Sequence, residues 1–368
     1  MASQINNTIL CMLLVFLLVS NMQQRCFAAT GKQQQVPCLF VFGDSLSDDG
    51  NNNNLVTLAK SNYPPYGIDF PKGPTGRFTN GRTIVDFIAE FMGFDNYIPP
   101  FATARGREIL KGVNYASGAA GIRIETGQVQ GDRISMDRQL KNHQITLLEI
   151  NQMLGNHNKS TAEYLSKCIY VVAIGSNDYL NNYFLPQYYP TSTIYTPQQY
   201  AVVLNDQLSQ QLTKLYKYGA RKFAVFGLGA IGSIPIVRSS CGSGTNGSAC
   251  VDNINNAVEL FNVGLKSHVA ALNYNLTCGS FVFINSTGIA STSPLLASLV
   301  SNVSCCEASS PTGKCVPFGS TCSNRSQYAF YDSIHPTQIV ASVYARRAYK
   351  AQSPSDAYPF DISHLAQH

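Results

Sequence analysis

Charged residues make up only 13% of the 368 residues, and no long basic run gathers the scattered lysines and arginines. A nucleic-acid partner therefore has no electrostatic footprint in this chain. No apolar run approaches the ~20 residues a bilayer span requires. The motif G-x-S-x-G is absent, which closes the nucleophile-elbow route to an α/β-hydrolase. So is any C-x-x-C pair, and with it the common zinc spacing; neither a metal nor another cofactor is expected. Internal repeats, heptads and a Pro/Gly/Ser linker that would divide the chain are also missing. What remains is 45% hydrophobic, ample for a large core.

The longest apolar run, Ile9 to Val19, is too short to cross a membrane and is followed by Phe27-Ala28-Ala29. Together they predict a secretory signal over residues 1–29, leaving 30–368 as one domain. The nine later cysteines fit an oxidising compartment. Cys241 and Cys250 bracket a glycine-rich loop and are expected to pair; the other pairings stay open, and the odd count leaves one thiol over. Six N-x-S/T sequons follow the signal segment, at Asn158, Asn246, Asn275, Asn285, Asn302 and Asn324, and become glycosylation candidates on surface loops in a secreted chain.

Continuous apolar runs mark strands at Leu39–Phe42, Cys168–Ile174, Lys222–Phe226 and Ser280–Ile284. Stripes at helical spacing lie between and after them, over 82–93, 137–154, 196–219, 253–272 and 337–349. Thr196 and Pro197 open the clearest of these and Gly219 closes it. Buried strands alternating with helices predict an α/β protein with a mainly parallel sheet covered on both faces. Gly112–Gly121 is too rich in glycine and alanine for either element and reads as a tight loop.

Ser45 follows the first strand, where open sheets place their ligands. Asp44 and Ser45 are also good helix caps, so this stretch alone leaves capping and catalysis both open. His143, His157, His268, His364 and His368 sit on helix faces, in a polar loop or in the tail. His335 differs, because Asp332 stands three residues before it in a turn ahead of the last helix. There a carboxylate can fix the ring tautomer and leave the other nitrogen to take a proton. Gly118 and Asn177 are candidate oxyanion donors, by backbone N–H and by side-chain amide. Gly227-Leu228-Gly229-Ala230-Ile231-Gly232 matches a dinucleotide fingerprint, but Pro235 follows where a helix should run on, so close strand packing is expected there instead.

Four blocks, in order, resemble the plant-type GDSL esterase/lipases of the SGNH hydrolase superfamily. They are FGDSL from Phe42 with its asparagine run, GVNYASG from Gly112, IGSNDY from Ile174 and DSIHP from Asp332; TGRFTNGRTIVDFIAE from Thr75 is similar as well. The resemblance implies a flavodoxin-like three-layer α/β/α fold and makes Ser45 the nucleophile, His335 the base and Asp332 its orienting acid. It places the oxyanion hole at the Ser45 N–H, Gly118 and Asn177, with no metal or cofactor. The implied substrates are small-molecule, lipid or acylated-carbohydrate esters, met outside the cell in the wall or apoplast. Asp49, Ala119 and Tyr331 depart from the family pattern, and Asp49 is expected to set a carboxylate near the nucleophile. The same residues would serve an acyltransferase, and a binding glycoprotein that lost activity is the reading from another class. Acyl and alcohol preference and oligomeric state are not written in the sequence.

Overall fold

The computed structural model describes residues 33–310 and 312–368. The segment expected to be a signal, 1–29, lies outside them. Four parallel strands form the centre: β1 (Leu39–Gly43), β2 (Ile169–Ala173), β3 (Lys222–Phe226) and β4 (Ser280–Ile284). The register sets Leu39 beside Ile169, Val171 beside Ala224 and Phe226 beside Ile284. A two-residue strand late in the chain (Ala357–Tyr358) closes the β4 edge antiparallel.

Apart from Lys222 and Ser280, which open β3 and β4, the central strands carry only apolar or aromatic side chains because both their faces are covered. Phe40, Phe42, Tyr170, Val172, Phe223, Val225, Phe281 and Phe283 point to one face. Their partners in alternation, Leu39, Val41, Ile169, Val171, Ala224, Phe226, Val282 and Ile284, point to the other. On the aromatic face lie α2 (Met136–Met153), α3 (Asn158–Ser166), α4 (Pro197–Lys217) and α6 (Gly244–Asn275). The aliphatic face carries α1 (Ile84–Phe91), α8 (Gln338–Tyr349) and α9 (Ile362–Gln367). This is the expected three-layer α/β/α sandwich with a mainly parallel sheet.

The helix starts follow their caps. Thr83 and Asp86 form a reciprocal capping box on α1, as Thr196 and Gln199 do on α4, with Pro197 in its first turn. One boundary differs from the sequence reading. The expected loop between Cys241 and Cys250 is the start of α6, and the preceding short helix α5 (Pro235–Cys241) ends at the first of these cysteines. The expected Cys241–Cys250 disulfide ties the two helices together, and this tertiary constraint outweighs the low helix propensity of Gly244 and Gly247.

The Gly112–Ser117 segment also departs from the loop reading. It runs parallel along the free edge of β1: Val41 N–H donates to Val113 O (3.1 Å), Tyr115 N–H to Val41 O (2.8 Å) and Ser117 N–H to Gly43 O (3.1 Å). Gly112 permits the approach, since its φ is +117° and a Cβ there would collide with the Leu39 backbone. Among the described residues the other cysteines pair as Cys38–Cys168, Cys305–Cys322 and Cys306–Cys315, leaving Cys278 free and exposed. Among the described residues no helix is long and apolar enough to cross a membrane.

Five sequon asparagines are exposed, although Asn158, Asn246 and Asn275 lie in helices rather than in loops. Asn285 is the exception. It is half-buried, and its Oδ1 accepts from the Gly288 N–H (3.0 Å) to cap α7 (Ser286–Ser291).

Candidate active site

The chain leaves β1 through Gly43, whose missing side chain matters: a Cβ there would stand 2.7 Å from the Ala173 carbonyl oxygen. Gln139 of α2 grips this residue, accepting from Gly43 N–H (2.9 Å) and donating to Gly43 O (2.8 Å). The backbone then turns tightly, with Ser47 and Asp48 N–H both donating to Asp44 O. Ser45 therefore rides a turn anchored from both sides at the carboxyl end of the sheet.

The asparagine run fixes that turn to the neighbouring edge segment. Asn51 Nδ2 donates to Asn114 O (2.9 Å) and Ala116 O (2.8 Å). Asn52 Nδ2 donates to Ala59 O (2.8 Å) and Gly118 O (3.0 Å), while its Oδ1 accepts from Ser117 Oγ (2.5 Å). Asp48 takes the N–H groups of Gly50 and Asn51 on one oxygen and that of Gly118, at 2.8 Å, on the other. The run is a set of short side chains carrying both donor and acceptor, spent on loop backbone that no strand ladder satisfies.

His335 Nε2 lies 2.8 Å from Ser45 Oγ, and its Nδ1 lies 2.7 Å from Asp332 Oδ2. Asp332 is fully buried yet well supplied. Its Oδ1 accepts from the N–H groups of Ile334 (2.8 Å) and His335 (2.6 Å), and its Oδ2 also accepts from Tyr66 OH (2.6 Å). Burial pushes this carboxyl up, but the His335 charge and these donors outweigh it and hold Asp332 below its ordinary value. An ionised Asp332 makes Nδ1 the protonated nitrogen, so Nε2 is left to accept from the Ser45 hydroxyl. Phe78 packs on the His335 ring at 4.8 Å between centroids.

The disulfide-bonded loop delivers the tyrosine. Tyr66 OH accepts from Cys315 N–H (3.2 Å), and Tyr66 packs with Tyr331 and the Cys305, Cys306 and Cys315 sulfurs in a small core of its own. Tyr331 OH donates to Pro65 O (2.5 Å). Neither role has a periodic signal in the sequence; Tyr66 sits in a proline- and glycine-rich stretch.

Asn177 lines the Ser45 cavity. Its Nδ2 donates to Ala120 O (3.0 Å) and its Oδ1 accepts from Asn181 Nδ2 (2.6 Å), which orients the amide and leaves a second Nδ2 proton. Next to it Asp178 accepts from Ile122 N–H, Arg123 N–H and Thr126 Oγ1, tying this turn to the chain after Gly121. Gly118 donates its N–H to Asp48 Oδ2 (2.8 Å) and is not among the residues that line the cavity. Asp49 likewise turns away from the nucleophile: it is buried 3.6 Å from the Arg77 guanidinium, which also pairs with Asp86.

Among the described histidines, His335 is the one hydrogen-bonded to Ser45. His143 is buried among Phe40, Phe42, Tyr115 and Tyr170, with Nδ1 3.0 Å from Tyr115 OH, and burial pushes it down to about 3. In the false dinucleotide fingerprint, a Cβ on Gly227 would meet the Phe283 ring at 2.8 Å, which is the close packing expected there. Among the described residues no group of three or more His, Cys, Asp or Glu is placed to hold a metal.

Asp44 also lines the cavity and is buried, with only Oδ1 of its side chain bonded, to Leu46 N–H at 3.0 Å; Oδ2 has no hydrogen-bond partner. Burial pushes its carboxyl up to about 7. A carboxyl whose folded value stands above its unfolded ~3.9 contributes its full stability below that unfolded value and loses it as pH climbs through about 7. At ~1.4 kcal/mol per pKa unit, ionising it in the folded chain costs on the order of 4 kcal/mol. Asp44→Asn should therefore flatten the fall in the denaturation midpoint between about pH 4 and pH 7. Asp48 and Asp178, each pushed up to about 6 by burial, remain in both proteins and cancel in the comparison. Parallel pH profiles for the two proteins would contradict a buried, partly unpartnered Asp44.

A family model described as GDSL-like Lipase/Acylhydrolase matches residues 39–347. Among curated relatives, the Arabidopsis thaliana GDSL esterase/lipases At1g29670 and At1g29660 are 51% and 48% identical over 341 residues each, covering 91% of this chain and 93% of their own. A third from that plant, At5g45670, is 47% identical over 336 residues, 90% of this chain and 92% of its own. Among solved structures, an extracellular lipase from Streptomyces rimosus aligns over 86% of this chain and 97% of its own, at 14% identity and a TM-score of 0.34. By the match over residues 39–347 and the identity along nine-tenths of its length, this chain belongs to the GDSL-like lipase/acylhydrolase family.

Proposed function

We propose that this protein is a secreted serine esterase or lipase that hydrolyses carboxylic esters through an acyl-enzyme on Ser45. The observation that carries the reading is the unbroken relay from Tyr66 OH through Asp332 and His335 to Ser45 Oγ, each link between 2.6 and 2.8 Å. Nε2 of His335 takes the hydroxyl proton as Ser45 Oγ bonds to the ester carbon, giving a tetrahedral oxyanion. Asn177 Nδ2 and the Ser45 N–H are its assigned donors. Collapse expels the alcohol, which receives the proton from His335, and a water activated by the same nitrogen then releases the acid. Ionised Asp332 stabilises the imidazolium at both steps without becoming protonated itself.

Residues 30–368 act as one hydrolase domain in this reading, and 1–29 as the signal that is removed. Four disulfides and five exposed sequon asparagines support an extracellular setting. The cell wall or apoplast is the proposed location within it. Protein recovered from the medium of a secretory host should lack the N-terminal segment, carry N-glycans and turn over nitrophenyl esters with a burst of one nitrophenol per active site. An intact N-terminus on an unglycosylated product would sink the localisation. A linear time course from the first turnover, with no Ser45-bound acyl group in the digested protein, would sink the acyl-enzyme.

A further inference from the structure

The cavity at Ser45 has two unlike ends. Toward α5 it reaches solvent, where Ala230, Arg238, Ala297 and Ser301 are all exposed. In the other direction it penetrates beneath the carboxyl edge of the sheet, on the aliphatic face. There it is lined by Ile84 and Val85 of α1, Phe226 of β3, Ala290 of α7, and Val340 and Tyr344 of α8. Val85, Phe226 and Val340 are buried, and Ile84 and Tyr344 pack against the core of that face. None of these six side chains is acidic or basic, so this end presents an apolar lining.

A closed apolar arm beside a nucleophile constrains which half of an ester it takes. The alcohol must leave before water can attack the acyl-enzyme, so it departs through the open end, while the acyl group stays attached to Ser45 in the meantime. Resting on the serine-esterase reading above, we propose that the closed arm between the sheet and α1, α7 and α8 is the acyl-chain site, and that the preferred substrates are esters of medium-length aliphatic acids. The cavity measures about 350 Å³ in all. Taking for each methylene-sized group the ~30 Å³ that a water molecule occupies in the liquid, it holds on the order of a dozen such groups, shared between the two ends. A saturated chain of roughly eight carbons fits that space; an acetyl group leaves it largely empty and a hexadecanoyl chain overfills it. Ala290 sets the bore of the arm because it is the smallest of these side chains.

The test compares kcat/KM for nitrophenyl acetate, butanoate, octanoate and hexadecanoate in the wild type, Ala290→Leu and Ala290→Phe. Each buried methylene is worth about fourfold, so the wild type should favour octanoate over acetate by at least about a hundredfold and fall again at hexadecanoate. Filling the arm should lower the octanoate-to-acetate ratio by about tenfold in Ala290→Leu and further in Ala290→Phe. Labelling of Ser45 by a small fluorophosphonate reports that each variant is folded with its site assembled. A labelled variant whose ratio stays at the wild-type value places the chain elsewhere and overturns the inference, as does a wild type that prefers acetate. A folded wild type unlabelled at Ser45 overturns the nucleophile assignment first, and this inference with it.

Discussion

Ser45→Ala should lower kcat by about five to six orders of magnitude, and His335→Ala by a similar factor. Combining them should cost little more. The 2.8 Å contact between His335 Nε2 and Ser45 Oγ makes the pair one device: without the imidazole the hydroxyl is a poor nucleophile, and without the hydroxyl the imidazole has no proton to move. KM should change much less than kcat, because neither group grips the ground-state ester and both serve the transition state. What activity remains would come from the oxyanion donors and from binding alone. Additive losses in the double variant would show that the two residues act in separate steps rather than as a unit.

Asp332→Asn should reduce kcat by about 10⁴-fold while leaving the fold intact. The carboxylate accepts from four donors, namely the N–H groups of Ile334 and His335, His335 Nδ1 and Tyr66 OH. An amide keeps one acceptor oxygen and turns an NH₂ toward groups that are themselves donors. The ring can then be satisfied only by reversing its tautomer, which puts the proton on Nε2, facing Ser45. Tyr66→Phe removes one donor of the four and should cost about 10- to 100-fold, the worth of a hydrogen bond to a charged group. That hydroxyl is one of the contacts holding the Asp332 carboxyl low, so its loss should move the acid limb of the kcat/KM profile to higher pH. A purely structural Tyr66 would lower the yield of folded protein and leave the acid limb in place.

The sheet was legible because its strands are covered on both faces: LFVF, CIYVVAI, KFAVF and SFVFI are continuous apolar runs, and each is a strand in the structure within one or two residues. The capped helix from Pro197 was legible for the same kind of reason, a local signal that agrees with the burial of its stripe. Ser45, Asp332 and His335 were within reach of sequence reasoning because residues 332 and 335 are close in the chain and the nucleophile follows a strand. The edge segment Val113–Ser117 was not, since its pairing to β1 depends on Gly112 tolerating a backbone collision that no periodicity reports. Nor was the fate of the Gly118 N–H, which is decided by where Asp48 points. Tyr66 and Gln139 reach the site across 266 and 96 residues, through disulfide geometry and helix packing. Asp49 shows the converse: its position beside the nucleophile in sequence suggested a charge in the site, and Arg77 draws it away.

The most direct test of the account is covalent. Folded protein treated with a fluorophosphonate ester, digested and mapped by mass spectrometry should carry the adduct on Ser45 alone. Labelling should vanish in denatured protein and in Ser45→Ala, and slow by orders of magnitude in His335→Ala. An adduct on another serine, together with full ester turnover by Ser45→Ala, would contradict it.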